Sequence, residues 1–348
     1  MSIAPEHELT PNVFRPDTSG GADDVEHTVV ERTVVTSDGV RLAMRDHRAD
    51  HADAPTVVLL HGLLLSQQSW APQVCRLRRR FGGGIRIITY DHRGHGRSAA
   101  APMPTYRIER LATDLAEILA ASDITGPLTV AGHSMGGMTA LAYLARPADD
   151  RPVDPDALVL VGTAAGGLAG HGVPRLLATP ATGALFGLVR RIPAVDTAVQ
   201  AIMRPLGDAL GMFAGDDTTV SGVTAAAVRR TLLTTAAGFL PSLRSYDVSG
   251  SLGTITARTF VVSGGADILT PAVHSREIAA AIPGAVHLHH PTAGHLLPQE
   301  AAECVSDVIA RAIEMRRTSR TSLSGRTKRH LTLVAHNAQN ADIVACGG

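Results

Sequence analysis

Apolar residues recur along this chain in two patterns, short continuous runs and longer runs at helical spacing. Thr56–Leu60 and Ala157–Val161 are uninterrupted apolar runs, which is typical of strands buried on both faces of a sheet. Residues 108–119 instead repeat Ile and Leu at the spacing of one helix face, with acidic residues on the other faces. The alternation of the two patterns predicts an α/β protein whose mostly parallel sheet is covered by helices on both faces.

The same reasoning predicts eight strands in all. Two strands at residues 29–36 and 40–45 are joined by an Asp-Gly turn, the strongest short hairpin signal. The remaining four predicted strands cover residues 85–90, 128–131, 258–263 and 285–289. A closing helix is predicted from 298 to 315.

The alternation is interrupted once, because no convincing strand occurs between Val161 and Arg258. Several Ala- and Leu-rich helical segments fill this stretch, and a structureless loop of such length is implausible in a compact domain. We expect a helical cap at 165–249 that covers the carboxyl ends of the strands, inserted in a core formed by 28–164 and 250–315. A separate domain is the alternative, but both ends of the insertion return to the same sheet.

Composition and the two termini exclude several classes of protein. Lys plus Arg and Asp plus Glu both total 32, so the net charge of zero does not favour nucleic-acid binding. No apolar run reaches the roughly 18 residues of a membrane-spanning helix, and we expect no stable membrane insertion. Residues 1–27 predict a disordered leader without an apolar signal region, and the basic residues 316–348 a disordered tail. Three widely separated cysteines, an odd number, form no disulfide framework, so a reducing, cytoplasmic location is expected.

A serine follows the strand at 128–131 within Gly132-His-Ser134-Met-Gly136. This strand–turn–helix context is typical of a nucleophile elbow, in which the serine occupies a sharp turn. Glycine on either side leaves room for the neighbouring strand and helix. The alternative is that Ser134 merely caps the following helix.

Serine needs a base to accept its proton and a carboxylate to orient that base. Asp267 follows the strand at 258–263 on a glycine-rich turn, and His295 follows the last strand. Because carboxyl ends of parallel strands share one edge of a sheet, we expect Ser134, Asp267 and His295 to converge there. Other acids, Asp91 and Asp247, lack this placement. Three further histidines lie nearby: His287, His289 and His290. A metal site there is disfavoured, because no acidic or cysteine ligand accompanies them.

Acyl transfer also needs two hydrogen-bond donors for the oxyanion of the tetrahedral intermediate. The backbone N–H of Met135 is one candidate, because it follows the serine at a helix N-terminus. The backbone N–H of Leu63 is the second, in the loop that begins at His61-Gly62. That loop could alternatively be a plain turn.

Five motifs together resemble those of the α/β-hydrolases with a helical cap, a family that includes serine esterases and monoacylglycerol-lipase-like enzymes. The motifs are His61-Gly62, Asp91-His-Arg-Gly-His-Gly-Arg-Ser98, Gly132-His-Ser-Met-Gly-Gly137, Gly265-Ala-Asp267 and Gly294-His295. The resemblance implies an enzyme with an α/β-hydrolase fold and a Ser-His-Asp triad. Serine at position 134 departs from the aspartate nucleophile of epoxide hydrolases and haloalkane dehalogenases. Leu63 departs from the aromatic residue that haloperoxidase-like members commonly carry there.

The expected substrate is a small lipophilic carboxylic ester or thioester, cleaved through an acyl-enzyme without cofactor or metal. Apolar residues of the His-Gly loop and the cap are the candidate contacts: Leu64, Trp70, Phe186, Met203, Phe213 and Phe239. The alternative for each is a place in the core of the protein. Other activities that the same triad allows are acyl transfer, C–C bond hydrolysis and cofactor-free perhydrolysis. A non-catalytic ligand receptor is a further alternative.

Overall fold

One sheet of nine strands runs through the residues that the computed structural model describes, which are 29–168, 233–321 and 344–345. The order across the sheet is β1-β2-β4-β3-β5-β6-β7-β8-β9. The strands are β1 (Val29–Val35), β2 (Arg41–His47), β3 (Thr56–Leu60), β4 (Arg86–Tyr90), β5 (Leu128–His133), β6 (Ala157–Val161), β7 (Arg258–Gly264), β8 (Val286–His290) and β9 (Val344–Ala345).

Strand direction follows the expected pattern. β2 pairs antiparallel with β1 and with β4, and every other pair in the sheet is parallel. The predicted mostly parallel sheet of eight strands is confirmed by β1 to β8. The two-residue strand β9 adds one more at the edge, beside β8.

Seven α-helices accompany the strands within these ranges. They are α1 (Ala71–Phe81), α2 (Ile108–Ala120), α3 (Met135–Leu144), α4 (Leu233–Ser245), α5 (Ala272–Ala281), α6 (Leu297–Glu300) and α7 (Ala302–Thr321). The last of them extends beyond the predicted end at residue 315. Over this described part of the chain, no helix combines the length and the apolar character needed to cross a membrane.

Alternate residues of the central strands pack on opposite faces of the sheet, which is the physical basis of the continuous apolar runs. On β3, Val58 and Leu60 pack with residues of α2, α3 and α5 in one apolar cluster. Val57 and Leu59 pack with residues of α1 and α7 in a second cluster. Both faces of the sheet are therefore covered, and the carboxyl ends of the strands stay available for loops.

The predicted cap falls mostly outside the described residues. Of the range 165–249, the structure describes residues up to 168 and from 233 onward, including α4. The expected leader at 1–27 lies outside as well, as do Phe186, Met203 and Phe213. The cap, the leader and these three contacts therefore remain predictions.

The cysteines depart from the expectation. Cys304 in α7 is disulfide-bonded, whereas Cys75 in α1 is free and exposed. A disulfide is therefore present although the cysteines show no disulfide framework in the sequence, and the argument for a reducing compartment that rested on them no longer holds. Distance along the sequence is a poor guide here, because a disulfide depends on a Cα separation within about 7 Å in space and on the direction of the two Cβ atoms.

Candidate active site

Three chemically active side chains meet at the carboxyl edge of the sheet. Ser134 directly follows β5, Asp267 follows β7 and His295 follows β8. β5, β6, β7 and β8 are consecutive and parallel in the sheet, so the loops after them lie side by side. The structure therefore brings together the three residues that the sequence singled out.

Ser134 occupies a strained turn between β5 and α3. Its φ of 52° and ψ of −118° lie outside the regions that L-residues favour. The backbone N–H of Ser134 donates to the carbonyl of Val161 in β6 at 3.0 Å, which fixes the turn against the sheet. A Cβ at Gly136 would collide with the carbonyl oxygen of Leu60, so only glycine fits beside β3. The turn thus presents the serine hydroxyl away from the strand.

The side chains form a continuous hydrogen-bonded chain. His295 Nε2 lies 3.0 Å from Ser134 Oγ, and its Nδ1 lies 2.9 Å from Asp267 Oδ2. The Asp267 side chain is fully buried, whereas the imidazole keeps about 13% of its surface exposed. With Nδ1–H donated to the carboxylate, Nε2 is free to accept the proton of the serine hydroxyl.

The Asp267 carboxylate is supported on both oxygens. Oδ1 accepts the backbone N–H groups of Leu269 and Thr270, each at 2.9 Å. Oδ2 lies 2.8 Å from the Thr270 hydroxyl. Burial alone would raise the pKa of Asp267, but the interaction with His295 and the bonds from Thr270 outweigh it and lower that pKa. The carboxylate therefore stays ionised at neutral pH and can orient the imidazole.

The loop after β3 lies directly against the serine turn. A Cβ at Gly62 would lie 3.3 Å from the Cβ of Ser134 and 3.0 Å from Nδ1 of His133. Leu63 follows at a partly exposed position, and Leu64 adopts a positive φ of 64°. Met135 begins α3 on the other side of the serine. The two predicted oxyanion donors thus belong to the two segments that flank Ser134.

His61 holds this loop in place by bonds to the main chain. Its Nδ1–H donates to the carbonyl of Gly62 at 2.8 Å, and its Nε2 accepts the backbone N–H of His92 at 3.0 Å. Burial lowers the pKa of His61 to about 4, so the ring is neutral and keeps this tautomer. Its position is structural, at the base of the loop.

The two alternative acids have other partners. Asp91 is buried and accepts backbone N–H groups from Gln67 and Arg97, so it connects the loop after β3 to the loop after β4. Asp247 is exposed and accepts bonds from Ser249. Neither acid is paired with His295.

The histidines of β8 bond to a hydroxyl group. Ser263 Oγ lies 2.8 Å from His287 Nε2 and 2.9 Å from His289 Nδ1. Among the described residues, no group of three or more His, Cys, Asp or Glu side chains has an arrangement that could hold a metal ion.

The described candidates for substrate contact lie in different surroundings. Trp70 is fully buried in the apolar cluster beneath α1 and α7, on one face of the sheet. Phe239 of α4 is buried in the opposite cluster, where its ring lies 5.2 Å from that of Tyr106. Leu64 is partly exposed in the loop beside Ser134. Trp70 and Phe239 therefore form part of the core, and Leu64 alone of the three belongs to the loop at the site.

Sequence reasoning missed several residues that surround the three central side chains. Thr270 bonds the carboxylate of Asp267, and Thr163 bonds the backbone of Ser134. His133 and Glu300 bond the backbone of residues 294–296. The available signal was position alone: His133 and Thr270 lie within three residues of Ser134 and Asp267, and Thr163 closely follows the neighbouring strand β6. Glu300, ten residues after the end of β8, had no such signal.

Known proteins resemble this chain along most of its length. A family model described as alpha/beta hydrolase fold matches residues 55–205. The putative carbamate hydrolase RutD of Agrobacterium fabrum is 30% identical over 246 residues, which are 68% of this chain and 84% of that relative. A crystal structure of a hydrolase from Pseudomonas aeruginosa PA01 superimposes with a TM-score of 0.66 at 26% identity, covering 81% of this chain and 98% of that chain.

A second kind of relative matches only in part. The probable oxidoreductase EphD of Mycobacterium tuberculosis strain H37Rv is 36% identical over 124 residues, which are 35% of this chain. The match spans 20% of that relative's length. It is therefore a likeness to one segment of a longer protein.

Proposed function

Because this chain belongs to the α/β-hydrolase family, we propose that it is a serine hydrolase that cleaves a lipophilic carboxylic ester or thioester. The single observation that carries the proposal is the unbroken chain from Ser134 Oγ through His295 to Asp267, with bonds of 3.0 and 2.9 Å. The first distance allows the nucleophile to pass its proton to the base, and the second allows the carboxylate to orient that base.

The proposed reaction begins with the serine. His295 Nε2 accepts the hydroxyl proton as Ser134 Oγ attacks the carbonyl carbon, and the backbone N–H groups of Leu63 and Met135 stabilise the oxyanion. Nε2 then protonates the departing alcohol or thiol, which leaves an acyl group on Ser134. Water attacks the acyl-enzyme after Nε2 removes its proton, and the acid departs as the hydroxyl group of Ser134 is restored.

Asp267 does not exchange protons in this scheme. Its ionised carboxylate keeps the proton of the resting imidazole on Nδ1 and stabilises the imidazolium that forms after attack. The lowered pKa of Asp267 supports this role, because a protonated carboxyl group would lose most of that stabilisation. The reaction needs no cofactor and no metal ion.

Apolar surface beside the site supports a lipophilic substrate. Leu63 and Leu64 are partly exposed in the loop against Ser134. Ile268, next to Asp267, adds a further exposed aliphatic side chain, with about 53% of its surface accessible. Pockets for small molecules are mostly apolar with a few fixed polar groups, and this composition fits an acyl chain or a comparable group.

Hydrolysis of a series of 4-nitrophenyl esters, from acetate to palmitate, tests this proposal. We expect turnover by the wild-type protein and an optimum at a chain length that reports the depth of the site. Ser134→Ala is the control and should lower kcat by at least about 10⁴-fold. Equal turnover by the wild type and this variant would refute the proposal, as would the absence of turnover from folded protein on every ester.

A carbamate is the second candidate substrate. The relative of this chain with 30% identity over 246 residues carries the name of a putative carbamate hydrolase. The same serine attack would apply: the phenol departs and leaves a carbamoyl group on Ser134, which water then removes. Phenyl esters and phenyl carbamates of matched size separate the two candidates by their kcat/KM values. A higher kcat/KM on the carbamate than on the ester would favour a carbamate as the substrate.

A further inference from the structure

The main chain of His295 is held from two sides by side chains outside the proposed triad. On one side, the backbone N–H of Gly294 donates to Glu300 Oε2, and that of Leu296 donates to Glu300 Oε1 at 3.1 Å. One carboxylate thus bonds both residues that flank His295. Each of its oxygens accepts one backbone N–H group.

On the other side, His133 bonds the carbonyl of His295 itself. The distance from His133 Nε2 to that oxygen is 2.8 Å, and a carbonyl accepts, so Nε2 carries the proton. The other ring nitrogen, Nδ1, has no hydrogen-bond partner among the residues that the structure describes, and it faces Gly62, since a Cβ there would lie 3.0 Å from it. The imidazole of His133 is about 1% exposed, so its orientation is fixed by packing.

We propose that Glu300 and His133 are positioning residues that together fix the backbone of His295, so that its imidazole meets both Ser134 and Asp267. The inference rests on the proposed function, which assigns His295 as the base. Both oxygens of one carboxylate accept the backbone N–H groups of Gly294 and Leu296, and one ring N–H donates to the carbonyl of His295. We call this pair the His295 clamp.

The chemistry of the clamp requires a carboxylate at position 300. Glutamine has one acceptor oxygen and a donor NH₂ group, so Glu300→Gln loses one of the two bonds and places a donor against an amide N–H. The change preserves volume. At position 133 the requirement is a donor, which glutamine can supply from its NH₂ group and leucine cannot.

A purely structural role for Glu300 is the competing explanation. Glu300 ends the short helix α6, and its carboxylate could stabilise that turn without any effect on the imidazole. A structural role predicts a lower melting temperature with unchanged catalytic constants. A positioning role predicts a lower kcat with a nearly unchanged KM, because substrate contacts are retained while the base is misplaced.

The main experiment compares Glu300→Gln with Glu303→Gln on a 4-nitrophenyl ester. Glu303 is the matched control, since its side chain is about 79% exposed on α7 and contacts only the surface residue Arg76 among the described ion pairs. We expect Glu300→Gln to lower kcat by about 10- to 100-fold with KM within about twofold, and Glu303→Gln to retain wild-type constants. Unchanged constants in Glu300→Gln would overturn the proposal, and so would unfolding of this isosteric variant, which would show a structural role.

Position 133 provides a test by rescue. We expect His133→Leu to lower kcat by about tenfold and His133→Gln to recover most of that loss, because only the latter restores a donor to the His295 carbonyl. Equal constants in the two variants would show that this hydrogen bond has no role in positioning.

Proton NMR tests the clamp independently of the proposed ester hydrolysis. The Nδ1 proton of His295, sheltered by its bond to Asp267, should give a low-field resonance in the wild type that disappears in His295→Ala. We expect it to broaden or vanish in Glu300→Gln and to persist in Glu303→Gln, whether or not the protein turns over any ester. A sharp, unshifted resonance in Glu300→Gln would refute the clamp, whereas absence of ester turnover with a normal resonance would refute only the proposed function.

Discussion

The hydroxyl group of Thr163 donates to the carbonyl oxygen of Ser134 at 2.7 Å. Thr163 follows β6, and the backbone N–H of Ser134 donates in turn to Val161 at the end of the same strand. The strained serine turn is therefore held at its N–H by the end of β6 and at its C=O by the segment that directly follows this strand. A residue in an unfavourable φ/ψ region persists only where its surroundings fix it, and β6 with the segment after it supplies this restraint.

Replacement of Thr163 by valine should lower both stability and activity. The change keeps the shape of the side chain but removes the bond to Ser134, and we expect a loss of about 1 kcal/mol in the free energy of unfolding. We also expect kcat to fall several-fold, because the serine turn relaxes. Urea denaturation and ester hydrolysis give the two measurements.

Thr259→Val is the matched control for that variant. Thr259 is equally buried, at the start of β7, and its hydroxyl donates to the carbonyl of Ala257 at 2.9 Å. Its loss should lower stability by a similar amount without a change in kcat. If both variants lowered kcat alike, the effect of Thr163 would be one of general stability.

The identity of the acid is tested by two Asp→Asn variants. Asp267→Asn should lower kcat by about 10⁴-fold, because an amide cannot hold the imidazole in the tautomer that accepts the serine proton. Asp247→Asn should leave kcat within about twofold of the wild type, since Asp247 is exposed and bonds Ser249. The reverse order of severity would show that the acid has been misassigned.

A buried histidine outside the triad should make folding sensitive to acid. Burial lowers the pKa of His95 from 6.5 to about 3, and its Nδ1–H donates to the carbonyl of Arg93 at 3.0 Å. In the unfolded chain this imidazole binds a proton near pH 6.5, whereas in the folded chain it stays neutral until about pH 3. The stability that the neutral ring contributes is therefore complete above about pH 6.5 and is lost toward pH 3, at up to about 1.4 kcal/mol per pH unit.

The variant His95→Phe isolates this contribution. Phenylalanine does not titrate, and the ring at this position already lies 5.9 Å from that of Phe239. As the pH falls from about 7 to about 5, the unfolding free energy of the wild type should decrease relative to that of the variant. Urea denaturation at each pH measures this difference. A difference that is independent of pH would contradict the assignment of a neutral buried ring.

The sequence predicted the sheet and the meeting of Ser134, Asp267 and His295, for one physical reason. Strands buried on both faces read as continuous apolar runs, and residues directly after parallel strands share the carboxyl edge of the sheet. Position after a strand therefore determined location in space. No knowledge of side-chain conformation was needed for that step.

What the sequence did not predict depends on the direction of side chains in loops. Trp70 follows the His-Gly loop closely, yet its indole packs under α1 and α7, in the core on one face of the sheet. Glu300 lies five positions after His295, and only the turn into α6 brings its carboxylate back to the amides of Gly294 and Leu296. Such contacts arise from backbone turns that apolar periodicity does not encode.

The most direct test of the account is to detect the acyl-enzyme on Ser134. The protein would be mixed rapidly with a slowly deacylated 4-nitrophenyl ester, and released nitrophenol and intact mass would be followed together. We expect a burst of about one equivalent of nitrophenol per chain, with one acyl group that peptide mapping locates on Ser134. The adduct should be absent from Ser134→Ala. Turnover without a burst, or an adduct that persists in that variant, would contradict the account.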